Sequence, residues 1–111
     1  MLYVEADNTI RLTRGDTAYL EIPIANDITE EEYVISPDDT ITFSVKRSVK
    51  DKNVCFSKTI RGANTIHINP DDTRQLEFGK YKYDVQLTTA AGDVYTVIEP
   101  TCFEVLLEVT I

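Results

Sequence analysis

The sequence predicts an all-β fold, an immunoglobulin-like antiparallel β-sandwich of about seven to nine short strands, and three observations predict it. Apolar and polar residues alternate with period two through most of the chain, the spacing at which a strand's side chains point to opposite faces. Turn chemistry breaks these runs at short intervals, at Arg14-Gly15-Asp16, Ser36-Pro37-Asp38-Asp39 and Arg61-Gly62-Ala63-Asn64, as suits a sandwich or small barrel. No stretch holds a helical apolar period for several turns.

Taken in order, short strands fit Leu2–Glu5 and Ile10–Thr13. Ala18 to Ile24 places Ala18, Leu20, Ile22 and Ile24 on one face. Pro23 lacks an amide donor, which puts this strand at an edge or gives it a bulge. Thr40 to Lys46 turns Ile41, Phe43 and Val45 inward, Val54–Ile60 makes a weaker strand, and Thr65-Ile66-His67-Ile68 is a short copy of the pattern. One helical turn is expected near residues 70–76. Asn69 is its N-cap, Pro70 suits its first position, and Asp71 and Asp72 complement its positive end. Lys80 to Thr88 is the strongest strand, with Tyr81, Tyr83, Val85 and Leu87 on a shared face. Val94 to Ile98 answers it across a Gly-containing hairpin at residues 89–93. A final run, Phe103, Val105, Leu107, Val109 and Ile111, alternates to the last residue. A helical turn followed by Gly79-Lys80-Tyr81 resembles the lead-in to strand F of a sandwich, where a tyrosine bonds back to the preceding corner. Tyr81 is the candidate for that structural tyrosine corner. Tyr83 stands where antibody domains carry a cysteine, and the chain has no Trp.

At 111 residues the chain is one domain, residues 1–111, long enough to bury a single core. Eleven Lys/Arg against nineteen Asp/Glu give a net charge of −8, a field that repels nucleic acid and anionic lipid. No apolar run is long enough to cross a membrane, and the start lacks the basic and apolar regions of a secretory signal. The expected location is therefore the cytoplasm. Acids concentrate between Asp27 and Asp39, and Lys46, Arg47, Lys50 and Lys52 follow at once. This split reads either as two solvated loops or as a device for head-to-tail association. Cys55 and Cys102 lack metal-site spacing and read as two reduced thiols.

Residues able to do chemistry are sparse. His67 lies between Ile66 and Ile68, so it should point away from the core as a solvated strand residue. A serine nucleophile would need a base and an orienting acid, and a thiol nucleophile would have only His67 to call on. The four glycines stand alone in turns and form no phosphate loop. Asp38-Asp39 and Asp71-Asp72 lack the spacing that gathers six to eight oxygens around a hard cation. The first pair reads as turn chemistry and the second as a helix start. The expectation is no enzyme, no cofactor and no metal.

Exposed aromatics are the remaining candidates. Tyr3, Tyr19, Tyr33 and Tyr95 fall outside the inward sets or on their margin, and tyrosine suits interfaces because a large apolar body carries a polar tip. Leu106 beside Leu107 places an apolar side chain on both faces of the last strand, so either the domain or a neighbouring subunit covers one of them. Tyr3, Tyr19, Tyr33, Tyr95 and Leu106 form the candidate interface set.

The stretches Ile41-Thr42-Phe43-Ser44-Val45-Lys46-Arg47-Ser48, Ile68-Asn69-Pro70-Asp71-Asp72-Thr73 and Phe78 to Thr88 resemble a group of small proteins of phages and prophages of Gram-positive bacteria. The strand Gly92 to Ile98 and the closing Phe103-Glu104-Val105 fit the same pattern, so the similarity runs from about Gly15 to Val109. Its members are immunoglobulin-like modules of tail or baseplate proteins, such as the N-terminal part of upper-baseplate proteins. The resemblance implies a non-enzymatic virion structural protein that assembles with itself or with tail and other virion proteins. It carries over no active-site residue. The alternative is an adhesin-like module binding carbohydrate or calcium.

Overall fold

Alternating burial follows from alternating sequence. The strand at residues 40–46 buries Ile41, Phe43 and Val45 and leaves Thr40, Thr42, Ser44 and Lys46 at the surface or half-covered. The computed structural model describes residues 2–24 and 33–108. Its elements are β1 (Leu2–Val4), β2 (Ile10–Thr13), β3 (Ala18–Glu21), β4 (Thr40–Lys46), β5 (Val54–Arg61), β6 (Thr65–Ile68), α1 (Pro70–Arg74), β7 (Gly79–Thr88) and β8 (Val94–Leu106). They make an all-β sandwich of a six-stranded sheet, in the order β1-β2-β8-β7-β4-β5, and a two-stranded sheet, β3-β6. The chain changes sheet at β2–β3, β3–β4, β5–β6 and β6–β7, and the run β8-β7-β4-β5 facing β3-β6 follows the immunoglobulin-like order G-F-C-C′ facing B-E.

Three expectations need correcting. The sandwich is not wholly antiparallel, because β2 runs parallel to β8, with Ile10 opposite Phe103 and Thr13 opposite Leu106. Chain direction leaves no trace in an alternating pattern, since either orientation presents the same face. Next, the runs at 94–98 and 103–111 are not two strands. β8 continues from Val94 to Leu106 through Pro100, and bulges make that passage. Asp84 alone faces Glu99 and Pro100 between the pairs Tyr83–Thr101 and Val85–Ile98, and Val97 is an extra residue between Ile98 and Thr96. A bulge residue needs no ladder donor, so proline is tolerated there. Each inserted residue also flips the facing of everything beyond it. Finally, regular alternation stops at Leu106. Leu107 is 62% exposed rather than inward, and Val109 and Ile111 lie outside the described residues.

Smaller differences have local causes. β3 ends at Glu21, before Pro23, yet Ile22 and Ile24 stay buried. α1 spans Pro70–Arg74, leaving Gln75 and Leu76 beyond it. Asn69 is its N-cap, and the Asp72 carboxylate accepts the Asn69 amide at 2.7 Å, which satisfies a donor the helix start leaves free. β5 carries its own bulge: Val45 faces Phe56 and Lys46 faces Val54, so Cys55 is the unpaired residue between them.

The core lies between the sheets, built from β2, β4, β7 and β8 on one side and from Ala18, Leu20, Ile66 and Ile68 on the other. An aromatic cluster anchors it. The Phe43 ring lies 5.2 Å from Tyr83 and 6.1 Å from Phe103, and Phe56 lies 6.0 Å from Phe103. Edge-to-face and tilted rings of this kind add attraction beyond their area burial. Tyr83 is buried, and its hydroxyl reaches past the core to donate to the Asn8 carbonyl oxygen. Burial pushes this phenol up to about 12, with the Asp7 carboxylate adding to the shift.

Candidate functional site

The two ends of the sandwich are closed by polar clasps that explain several charged residues. At the hairpin end, Asp39 is 2% exposed. Its carboxylate accepts the Ser36 amide at 2.9 Å, the Tyr33 hydroxyl at 2.8 Å and the Ala90 amide at 3.2 Å. The Ser36 amide first, then the Tyr33 hydroxyl, hold its carboxyl below the ordinary 3.8. Asp39 therefore ties the segment before β4 to the β7–β8 hairpin, and both its oxygens are engaged.

At the opposite end Arg14 plays the matching part. Its guanidinium Nε donates to Glu108 at 2.9 Å, Nη1 donates to the Leu76 carbonyl at 3.2 Å, and the group lies 6.0 Å from the Phe78 ring centre. The Gly15 amide donates to the buried Thr73 hydroxyl at 2.8 Å. The hydrogen bonds from Arg14 hold the Glu108 carboxyl below its usual range. Nearby, Tyr81 is buried and donates to the Glu77 carbonyl at 2.7 Å, the bond of a tyrosine corner, while Arg47 donates to its hydroxyl at 3.0 Å and lies over its ring at 5.1 Å.

The candidate interface residues do not form one surface. Tyr3 faces Arg11 in register, on the outer side of the large sheet, and is half exposed. Leu106, one residue past the inward Val105, shares that outer side and is half-buried opposite Thr13. Tyr33 packs against the core at the hairpin end with its hydroxyl bound to Asp39. Tyr95 sits near it, 56% exposed, although its register partner Leu87 is buried. Tyr19 lies on the outer face of the small sheet, 65% exposed. The large sheet thus gathers Tyr3 and Leu106, the hairpin end gathers Tyr33 and Tyr95, and Tyr19 stands apart from both.

One arrangement escaped sequence reasoning. Tyr19 and His67 are cross-strand partners, and their rings stack 4.5 Å apart at an angle of 11°. Alternation marks each residue as outward, but only the β3–β6 register brings them together. The outer backbone edges of this two-strand sheet have no partner strand among the described residues. Ile22 and Asn64 form a bonded pair at its end, so by the alternation of antiparallel pairs Tyr19, Glu21, Thr65 and His67 point their amides and carbonyls outward.

His67 is not placed to activate either thiol. It stacks on the outer side of β3–β6, whereas Cys102 lies on β8 opposite the outward Lys82, and Cys55 packs into the core from β5. Both cysteines are free. Among the described residues no cluster of three metal-ligating side chains occurs. Of the acid pairs, Asp39 is committed to the hairpin clasp, and Asp72 caps α1 while pairing with Lys58 at 2.7 Å. No helix is long and apolar enough to cross a membrane among the described residues.

A shallow cleft of about 70 Å³ lies on the large sheet's outer face, between Ser44, Lys46, Val49, Lys82, Asp84 and Pro100. Burial raises the Asp84 carboxyl; Lys46 opposes that shift and Glu99 adds to it. Compared with protein-family models, curated proteins and solved structures, the chain matches none.

Proposed function

We propose that this chain is a non-enzymatic assembly module of a phage or prophage virion, acting in a tail, baseplate or other part by binding copies of itself or other virion proteins. The observation that carries the reading is the small β3–β6 sheet. Its outward backbone groups lack a partner strand among the described residues, and the exposed Tyr19–His67 stack lies beside them. An exposed edge of this kind supports strand addition, in which main-chain hydrogen bonds supply affinity and neighbouring side chains supply selectivity. The likeness of residues 41–48, 68–73 and 78–88 to phage tail modules supplies the biological setting.

The test is association. Analytical ultracentrifugation of the purified chain, with affinity capture from a lysogen induced to make particles, should give a self-complex or a captured virion protein. A homomeric contact should bury roughly 1,200–2,000 Å² in total. Tyr19→Ala with His67→Ala should weaken it while leaving the fold intact. A chain that stays monomeric at high concentration and captures no virion protein overturns the proposal.

A further inference from the structure

The cations of this acidic chain divide into two sets. Six of them make ion pairs: Arg11 with Glu104, Arg14 with Glu108, Arg47 with Glu77, Lys58 with Asp72, Arg61 with Asp38, and Arg74 with Asp71. The other five are all lysines, at positions 46, 50, 52, 80 and 82, and none has a carboxylate at ion-pair distance among the described residues.

These five lysines are neighbours. Lys46 and Lys82 are direct cross-strand partners on β4 and β7. Lys80 lies two residues before Lys82 on the same outward face, and Lys50 and Lys52 occupy the connection between β4 and β5. Like charges placed directly opposite each other destabilise a sheet, and nineteen acidic side chains were available to relieve them. The acids nearby are Asp84, Asp51, Glu99 and Glu104, the last standing opposite Lys80 in register while it pairs with Arg11. Asp84 lies in the cleft between the two lysines, Asp51 stands between Lys50 and Lys52 in the connection, and Glu99 is exposed on the β8 bulge.

The cleft at the centre of this patch adds a second requirement. Val49 and Pro100 line it along with Tyr83, and its 70 Å³ holds one small aliphatic side chain or about two waters. We infer that this patch is a docking surface for an acidic protein segment that seats one small apolar side chain in the cleft and sets carboxylates against Lys46, Lys50, Lys52, Lys80 and Lys82. Charge complementarity selects the partner's sign, and the apolar cleft selects a polypeptide over a nucleic acid. This inference deepens the reading of the chain as a protein-binding module and rests on it.

The probe is a fluorescein-labelled oligoglutamate peptide with one central valine, titrated with the whole chain and followed by anisotropy at low and at high salt. Binding is expected at low salt and should weaken as salt rises, because screening shortens the reach of exposed charges. Lys46→Glu with Lys82→Glu should weaken it by about tenfold or more, equal to ~1.4 kcal/mol. Arg61→Glu with Arg74→Glu changes the net charge equally but lies outside the patch, and should leave most of the affinity. Lys82→Glu alone sets a carboxylate opposite Lys46, so it should raise the melting temperature by about 1–4 °C while lowering peptide affinity. Those opposite signs exclude loss of fold as the cause. No binding, equal loss in the two double variants, or tighter binding to single-stranded DNA of matched charge overturns the inference. If the chain assembles with itself or captures virion proteins while the lysine variants behave as wild type, the patch fails and the proposed function stands. If the peptide binds as described but no assembly partner is found, the proposed function fails on its own.

Discussion

Replacing Tyr81 with phenylalanine removes one oxygen and keeps the buried ring. That oxygen donates to the Glu77 carbonyl at 2.7 Å and accepts from Arg47 at 3.0 Å, while the ring stays under the Arg47 guanidinium at 5.1 Å. Tyr81 is 2% exposed, so the apolar term and the ring–cation contact survive the substitution. A hydrogen bond contributes about 0.5–1.5 kcal/mol net, and stranding a partially covered acceptor costs about 1–3 kcal/mol. Glu77 is exposed, so water reaches its carbonyl and the lower part of that range applies. Tyr81→Phe should therefore cost about 1–2 kcal/mol, which for a domain of this size lowers the melting temperature by roughly 4–10 °C. The assay is urea unfolding with Arg47→Ala and the double variant alongside, closing a mutant cycle. The Arg47 side chain is half exposed, so its coupling to the hydroxyl should stay below about 1 kcal/mol, with most of the Tyr81→Phe effect persisting without it. A Tyr81→Phe loss under ~0.3 kcal/mol would refute the role of the corner, and a loss that vanishes in the Arg47→Ala background would move the effect to the cation.

Phe43→Ala opens the centre of the aromatic cluster and should cost about 3–5 kcal/mol in chemical denaturation, a large share of a small domain's stability. Gly62 has φ +69°, and a Cβ there would meet the Pro37 backbone at 3.2 Å. Gly62→Ala should therefore destabilise by about 1–3 kcal/mol, seen as a lower urea midpoint at constant slope. Asp39 has its carboxyl held below 3.8 in the folded state, so its stabilising contribution is present above the unfolded value and lost as pH falls through the folded one. Wild type should lose stability more steeply than Asp39→Asn in acid titrations of the unfolding midpoint, and parallel curves would remove Asp39 from the acid response. Tyr19→Ala, on an exposed face, should change stability by less than about 0.5 kcal/mol; a larger loss in thermal melts would show that the stack with His67 is structural.

The strands, the short helix and most of the core were legible in the residues themselves. Ile41, Phe43 and Val45 alternate with polar neighbours, and all three are buried. Pro70 after Asn69, with acids in the first turn, marks α1 because capping is satisfied by near neighbours. Tyr81 was legible as a corner residue for the same reason, since its carbonyl partner lies four residues away. Of the interface set, alternation placed tyrosines outside the inward runs but could not say which share a face, because Tyr3 and Leu106 fall on one side only through the order β1-β2-β8.

Sequence alone determined, for this protein, whatever depends on a residue and its near neighbours: the two-residue period, the turns and the cap. Tertiary structure decided what depends on pairing at long range. It set β2 parallel to β8, carried β8 through Pro100 on bulges, brought Tyr19 onto His67, buried Asp39 beneath Tyr33, Ser36 and Ala90, and put Lys46 against Lys82. The reason is physical. A period of two states which face a side chain takes, whereas register, direction and neighbouring strand follow from the packing of the whole core, which no local pattern records.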